Sequence, residues 1–192
     1  MPSTDAQAEL AEADRRYLLD LARESIRHGL RHGRPLPVDL ERLAAPLTVR
    51  RACFVTLELQ GRLRGCIGSL EAVRPLAQDV AANAYAAAFR DPRFPPLSEA
   101  EFAGLDLHLS LLTPPQPFPC ASEADLLQRL RPGRDGLILQ EGSRRATFLP
   151  SVWEQLPDRQ SFLLHLKRKG GWPDGYWSEQ LQVFRYGTET IP

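Results

Sequence analysis

Two alternating runs joined by two residues constrain this chain more than anything else in it. Phe54, Val55, Thr56, Leu57, Glu58 and Leu59 alternate as a half-buried strand does, and Gln60-Gly61 has the length of a tight turn. Arg62-Leu63-Arg64-Gly65-Cys66-Ile67-Gly68 then runs back as the second strand of a hairpin. Glycine inside a strand is flexible and packs nothing, so Gly65 and Gly68 around one thiol predict a bulge or a backbone that another element approaches closely. Cys66 and its neighbours are therefore the first candidate site.

The 192 residues are enough to bury a sizeable core, and they are expected to form one domain, with about residues 1–8 disordered. Formal net charge is zero, which gives no global electrostatic reason to bind nucleic acid or an anionic membrane. Of the 24 basic residues, 22 are arginine, a bias that carries no functional weight by itself. Cys53, Cys66 and Cys120 are odd in number and lack Cys-x-x-Cys spacing, so neither a disulfide framework nor a cysteine zinc site is expected. The first twenty residues lack the basic-then-apolar pattern of a signal peptide, and no run approaches the roughly 20 apolar residues of a membrane span. A soluble cytoplasmic protein is expected.

Along the chain, Leu10, Tyr17, Leu18, Leu21, Ile26 and Leu30 recur at helical spacing, and Gly29 and Gly33 are expected to loosen that helix before Pro35 and Pro37 stop it. Arg50 and Arg51 read as guards of a strand edge. Pro75 suits the first turn of a second helix, whose Leu76, Val80, Ala81, Ala84 and Ala88 make a narrow face for close packing. Ser98 to Glu101, Ser122 with Asp125, Ser151 to Glu154, and Asp158 each mark a helix start. Leu105, Leu107, Leu109 and Leu111 alternate with Asp106, His108 and Ser110, which turns His108 away from the apolar face. A second hairpin is expected around Glu141-Gly142-Ser143. Lys167, Arg168 and Lys169 suit the negative end of the last helix, with Gly170 and Gly171 as its left-handed exit, and a final strand around Val183 is followed by an exposed tail.

The chemistry-bearing residues admit two readings. In one, Cys66 is a nucleophile acting on a small anionic substrate, Arg64 or Arg93 holds the anion or favours the thiolate, and His108 or Asp91 takes a proton. In the other, nothing reacts: Arg64 and Arg93 recognise a carboxylate or phosphate, Phe94 supplies apolar contact, and Gly65 and Gly68 admit a ligand or partner. The stiff Asp91-Pro92-Arg93 loop equally fits a local ion pair, and Cys66 between Leu63 and Ile67 equally fits a small buried hydrophobe. His28 and His32 lie one helical turn apart but complete no metal site, and no phosphate loop or dinucleotide fingerprint is present. Neither metal nor cofactor is expected.

Several separated motifs occur in an order similar to that of the AMMECR domain family. They are Leu63-Arg64-Gly65-Cys66-Ile67-Gly68, Asp91-Pro92-Arg93-Phe94, Leu109-Ser110-Leu111-Leu112-Thr113-Pro114, Gly136-Leu137-Ile138, Ala146-Thr147-Phe148-Leu149-Pro150 and Lys169-Gly170-Gly171. The resemblance implies an α+β fold, with an antiparallel sheet flanked by helices and two unequal lobes bounding a cleft. The independent reading of hairpins interspersed with helices agrees with that class. The resemblance also implies association with Memo-like and radical-SAM proteins. It supplies no reaction, because function rests on a site and not on a fold.

Overall fold

The computed structural model describes residues 10–192, so the expectation for residues 1–8 falls outside it. The chain forms two compact units of unequal size, one comprising the residues up to Leu112 together with Glu189–Pro192, the other Thr113–Thr188. Each holds a four-stranded antiparallel sheet flanked by helices, which is the expected α+β class.

In the first unit the chain runs through helix α1 (Glu12–His32), the short α2 (Ala45–Thr48) and the hairpin β1 (Cys53–Leu59) and β2 (Arg62–Gly68). Helix α3 (Leu76–Phe89), the one-turn α4 (Glu99–Phe102) and strand β3 (Leu105–Leu112) follow. The sheet order is β2-β1-β3-β8, where β8 (Thr188–Ile191) arrives from the far end of the sequence. Cys53, Val55 and Leu57 of β1 and Leu105, Leu109 and Leu111 of β3 turn one face inward, where they share a core with Leu18, Leu21 and Ile26 of α1 and the alanine face of α3.

The hairpin turns on Gln60 (φ 53°) and Gly61 (φ 71°), the two left-handed residues of a tight twist-matched turn. Leu59 pairs with Arg62 and Glu58 with Leu63, but Leu57 pairs with Gly65, so Arg64 is the extra residue of a β-bulge. An unbroken ladder would have paired Cys66 with core-facing Val55. The bulge moves it opposite Thr56, whose side chain is on the outer face.

Three expectations are corrected here. Gly29 does not loosen α1; it is a packing notch, where a Cβ would lie 2.5 Å from a Phe89 ring carbon and 2.7 Å from Tyr85. Arg51 guards no edge: it is buried, donates to the Leu112 carbonyl at 3.1 Å and pairs with Glu189 at 2.8 Å. The tail is not exposed, because β8 lies beside β3 with Ile191 in the core, and Arg15 also pairs with Glu189.

The second unit contains β4 (Gln116–Pro117), α5 (Glu123–Arg129), β5 (Gly136–Glu141), β6 (Arg144–Phe148), α6 (Arg159–Lys169) and β7 (Gln182–Tyr186), in the sheet order β4-β7-β5-β6. Its core is aromatic, with the Trp153 and Phe162 rings stacked at 3.8 Å. Ser122 and Asp158 cap their helices as expected. Ser151 caps nothing, because Pro150–Glu154 is a 3₁₀ turn preceded by Leu149. Lys167, Arg168 and Lys169 occupy the last turn of α6 as expected, and Lys167 is buried there, with its ammonium 2.6 Å from Glu123 and 3.1 Å from the Asp174 carbonyl. At the helix exit only Gly171 is left-handed (φ 77°); Gly170 is a close-packing site beneath the Trp172 ring.

Candidate functional site

The candidate residues in the first unit fall on two places, the free edge of β2 and the outer face of its sheet. The edge is closed by side chains. A strand in an interior position has both its N–H and C=O groups paired, whereas β2 has a neighbour on one side only. At Cys66 the missing neighbour is replaced by the loop after α3: the Asp91 carboxylate accepts the Cys66 N–H at 2.9 Å, and the Arg93 guanidinium donates to the Cys66 carbonyl at 3.3 Å. Arg93 also grips Asp91 in a fork, Nε to Oδ1 at 2.9 Å and Nη2 to Oδ2 at 2.6 Å. The hydrogen bonds from Arg93 hold Asp91 well below the usual carboxylate range despite its burial, and Arg93 is raised in return. Asp91 is therefore a committed acceptor and a poor proton carrier near neutral pH.

Arg64, the bulge residue, turns into the protein. Its Nε reaches Glu101 at 2.8 Å, and its Nη2 reaches the Pro95 carbonyl at 2.9 Å and Glu101 again at 3.2 Å. Glu101 simultaneously closes the capping box of α4 by accepting the Ser98 N–H at 2.8 Å. Arg64 and Ser98 together pull Glu101 down to about 2. The Phe94 ring has both guanidiniums beside it, Arg64 at 5.8 Å and Arg93 at 5.5 Å from its centroid. Arg64 is buried, while the Arg93 side chain remains 53% exposed, so of the two only Arg93 is free to meet a ligand from solvent.

The two glycines have distinct jobs. Gly65 lies against the backbone of α3, and a Cβ there would collide with the Ala87 carbonyl oxygen; a Cβ on Gly68 would collide with the Phe54 ring. Close approach thus explains both, and the partner at Gly65 is a helix and not a ligand.

The outer face carries a row of three polar side chains on adjacent strands, Cys66 on β2, Thr56 on β1 and His108 on β3. All three are half-buried. The Thr56 hydroxyl donates to Cys66 Sγ at 3.4 Å and is the sulfur's one hydrogen-bond partner among the described residues. His108 stands two strands from Cys66, about 9.5 Å between backbones, and Asp91 touches the Cys66 amide and not its sulfur. Phe54 and Ser110 continue the face beyond the row, opposite Gly68 and each other.

The structure thus gathers Cys66, Gly65, Asp91, Arg93 and Phe94 around one edge and places Arg64 behind them and His108 across the sheet. Sequence reasoning missed Thr56 and Glu101, the residues in direct contact with Cys66 Sγ and Arg64. Glu101 was legible as a cap, but its second role needs tertiary contact; Thr56 was hidden by the bulge. A buried polar cluster also went unread: Asp79 accepts from the Cys53 N–H at 3.1 Å, from Asn83 at 3.0 Å, from Ser69 at 2.9 Å and from Arg74 at 3.1 Å. It fixes the start of α3 against the hairpin. Burial, reinforced by Asp79, pushes the Cys53 thiol well up, which makes it inert. The His28 and His32 rings lie 4.3 Å apart on α1, tilted by 38°, and among the described residues no group of three or more His, Cys, Asp or Glu could hold a metal ion.

Comparison with known proteins covers the same ground as this geometry. A protein of Methanothermobacter thermautotrophicus is 39% identical over 183 residues, spanning 93% of this chain and 94% of the relative. A Thermotoga maritima protein is 36% identical over 167 residues, spanning 85% and 90%. The crystal structure of the uncharacterized protein PH0010 from Pyrococcus horikoshii superposes with a TM-score of 0.75 at 31% identity, over 91% of this chain and 88% of that one. The AMMECR1 family profile matches residues 19–191, which include α3, both sheets and every candidate residue described above, and the chain belongs to that family.

Proposed function

We propose that this protein is a binding module whose working surface is the outer face of the first sheet, with the Arg64 to Gly68 strand as its rim. The observation that supports this reading is the setting of Cys66: among the described residues its sulfur receives a hydrogen bond from Thr56 and makes none with a histidine or carboxylate. A thiol nucleophile needs a base within hydrogen-bond reach or a cation beside the sulfur. Here the Asp91 carboxylate is committed to the Cys66 amide and to Arg93, and Arg93 hydrogen-bonds Asp91 and the Cys66 carbonyl while its side chain stays half exposed. What remains open on this face is a shallow, half-buried strip of Phe54, Thr56, Cys66, His108 and Ser110, with one exposed guanidinium at its edge. Such a strip suits a partner surface or a small ligand with an acidic group.

Memo-like and radical-SAM proteins, implied as associates by family resemblance, are the partners to offer it, and the cytoplasm is where they would meet. Purified proteins of both types, each titrated against the wild type, Cys66→Ser and His108→Asp, provide the test. The module reading expects saturable binding by one of them, retained by Cys66→Ser and weakened about tenfold or more by His108→Asp. Loss of the interaction on Cys66→Ser alone, or a covalent adduct on Cys66 detected by intact mass, would favour the thiol enzyme instead. Absence of binding by either protein type would remove this partner assignment.

A further inference from the structure

The second unit has a pocket of about 260 Å³ that none of the foregoing uses, lined among others by Thr113, Gln116, Arg131, Arg185 and Gly187. We infer that this pocket is a binding site for a small oxyanion, a phosphate or carboxylate group held between Arg131 and Arg185.

Two guanidiniums meet there with one carboxylate between them. Asp135 is buried and already satisfied by Arg131, which approaches it through Nε at 3.0 Å, Nη2 at 2.7 Å and its backbone N–H at 2.9 Å. Arg185 gets only the remainder: its Nη1 lies 3.9 Å from Asp135 Oδ2, an ion pair beyond hydrogen-bond distance. No side-chain N–H of Arg185 appears in any hydrogen bond among the described residues. Arg185 is nevertheless held in place, since its guanidinium packs on Phe118 at 4.4 Å from the ring centroid, and Arg129 packs on the same ring at 4.3 Å. Stacking of this kind positions the cation without consuming its donors.

A third donor is available. Thr113 Oγ1 accepts the Gly187 N–H at 2.7 Å, which leaves the hydroxyl proton free to be given to a ligand. Gln116 pairs with Arg185 across the β4–β7 ladder and also lines the pocket. No carboxylate lines the pocket itself, and Asp135, which pairs with both arginines, sets one negative charge against their two positive ones. An excess cation with unused fork geometry, held rigidly beside a free hydroxyl, is complementary to a planar or tetrahedral oxyanion. This site lies wholly within Thr113–Thr188 and shares no residue with the face proposed above, so either reading can fail without the other.

The test is an amide-detected NMR titration of the full chain at fixed ionic strength, with inorganic phosphate in one arm, acetate in a second and chloride in a third. Saturable shifts of Arg131, Arg185 and Gly187 are expected with phosphate or acetate and not with chloride, and the arm that saturates first identifies the preferred oxyanion. Arg185→Gln should weaken that binding about tenfold or more, Arg185→Lys less so because the charge stays and the fork is lost. Arg16→Gln, on the exposed face of α1, should leave that binding unchanged. Arg131 is a poor probe, since its removal would strand Asp135. If Arg185→Gln does not fold, Arg185→Lys decides. Shifts that never saturate, that chloride reproduces, or that persist unchanged in both Arg185 variants would overturn the inference.

Discussion

The Asp91 carboxylate, with its side chain 2% exposed, accepts the backbone N–H of Cys66 at 2.9 Å and so takes the position that a neighbouring strand would occupy. Sequence distance separates the two residues; the close seat of Gly65 on α3 brings them together, because α3 delivers Asp91 at its end.

Asp91→Asn removes the charge that Arg93 and the Cys66 amide share while keeping the size. It should lower stability by about 1–3 kcal/mol, the cost of weakening a buried charge-assisted network, read from denaturant unfolding. Hydrogen exchange at the Cys66 amide should accelerate beyond the change in global stability.

Gly65→Ala should cost about 1–3 kcal/mol or prevent folding, because the added methyl meets the backbone of Ala87 and neither backbone can step aside. Gly104→Ala, where a Cβ would meet nothing within 4 Å, is the control and should be close to neutral. Unfolding midpoints of the two variants provide the comparison.

Glu101 gives a pH signature. Its folded value is depressed to about 2 from an ordinary 4.5, so it contributes stability that is fully present above about pH 4.5 and lost as pH falls through about 2. Glu101→Gln should therefore be less stable than wild type at neutral pH, and the gap should close across that window. Melting temperatures of both proteins from pH 7 to pH 2 would show it; a gap constant with pH would contradict the Arg64 assignment.

The three thiols should differ in reactivity. Cys53 is fully buried and its thiol is pushed up by burial, whereas Cys66 and Cys120 are half-buried. An alkylating reagent applied to the native protein should mark Cys66 and Cys120 and reach Cys53 only on global unfolding. Peptide mapping after timed labelling distinguishes them.

Periodicity made the helices, the hairpins and the class of fold legible, because apolar spacing directly encodes which face is buried. It could not decide whether Cys66 faces core or solvent. The Gln60-Gly61 turn alone sets a register in which Cys66 meets Val55, and the one-residue bulge at Arg64 reverses that. Bulges are settled by packing, here by the need to bury the Arg64 guanidinium against Glu101 and to bring Gly65 to α3. The Asp91-Arg93 ion pair was readable from two residues of spacing, but its target, the Cys66 backbone, was not. Arg51 misled because a basic residue at a strand start looks like an edge guard until a distant carboxylate, Glu189, is seen to reach it; the burial of Lys167 against Glu123 was equally out of reach of spacing alone.

The return of β8 to the first sheet has a consequence for biosynthesis. Ribosomes release the chain from its N-terminus, so β1, β2 and β3 emerge long before Glu189 does. In that interval Arg51 lacks its Glu189 partner, and β3 presents an unpaired border to solvent for as long as the whole of Thr113–Thr188 takes to be translated. The first unit can reach its native pairing only after the second has been made, which makes that border the point in the protein's life when it is most open to capture by a chaperone or by another nascent chain.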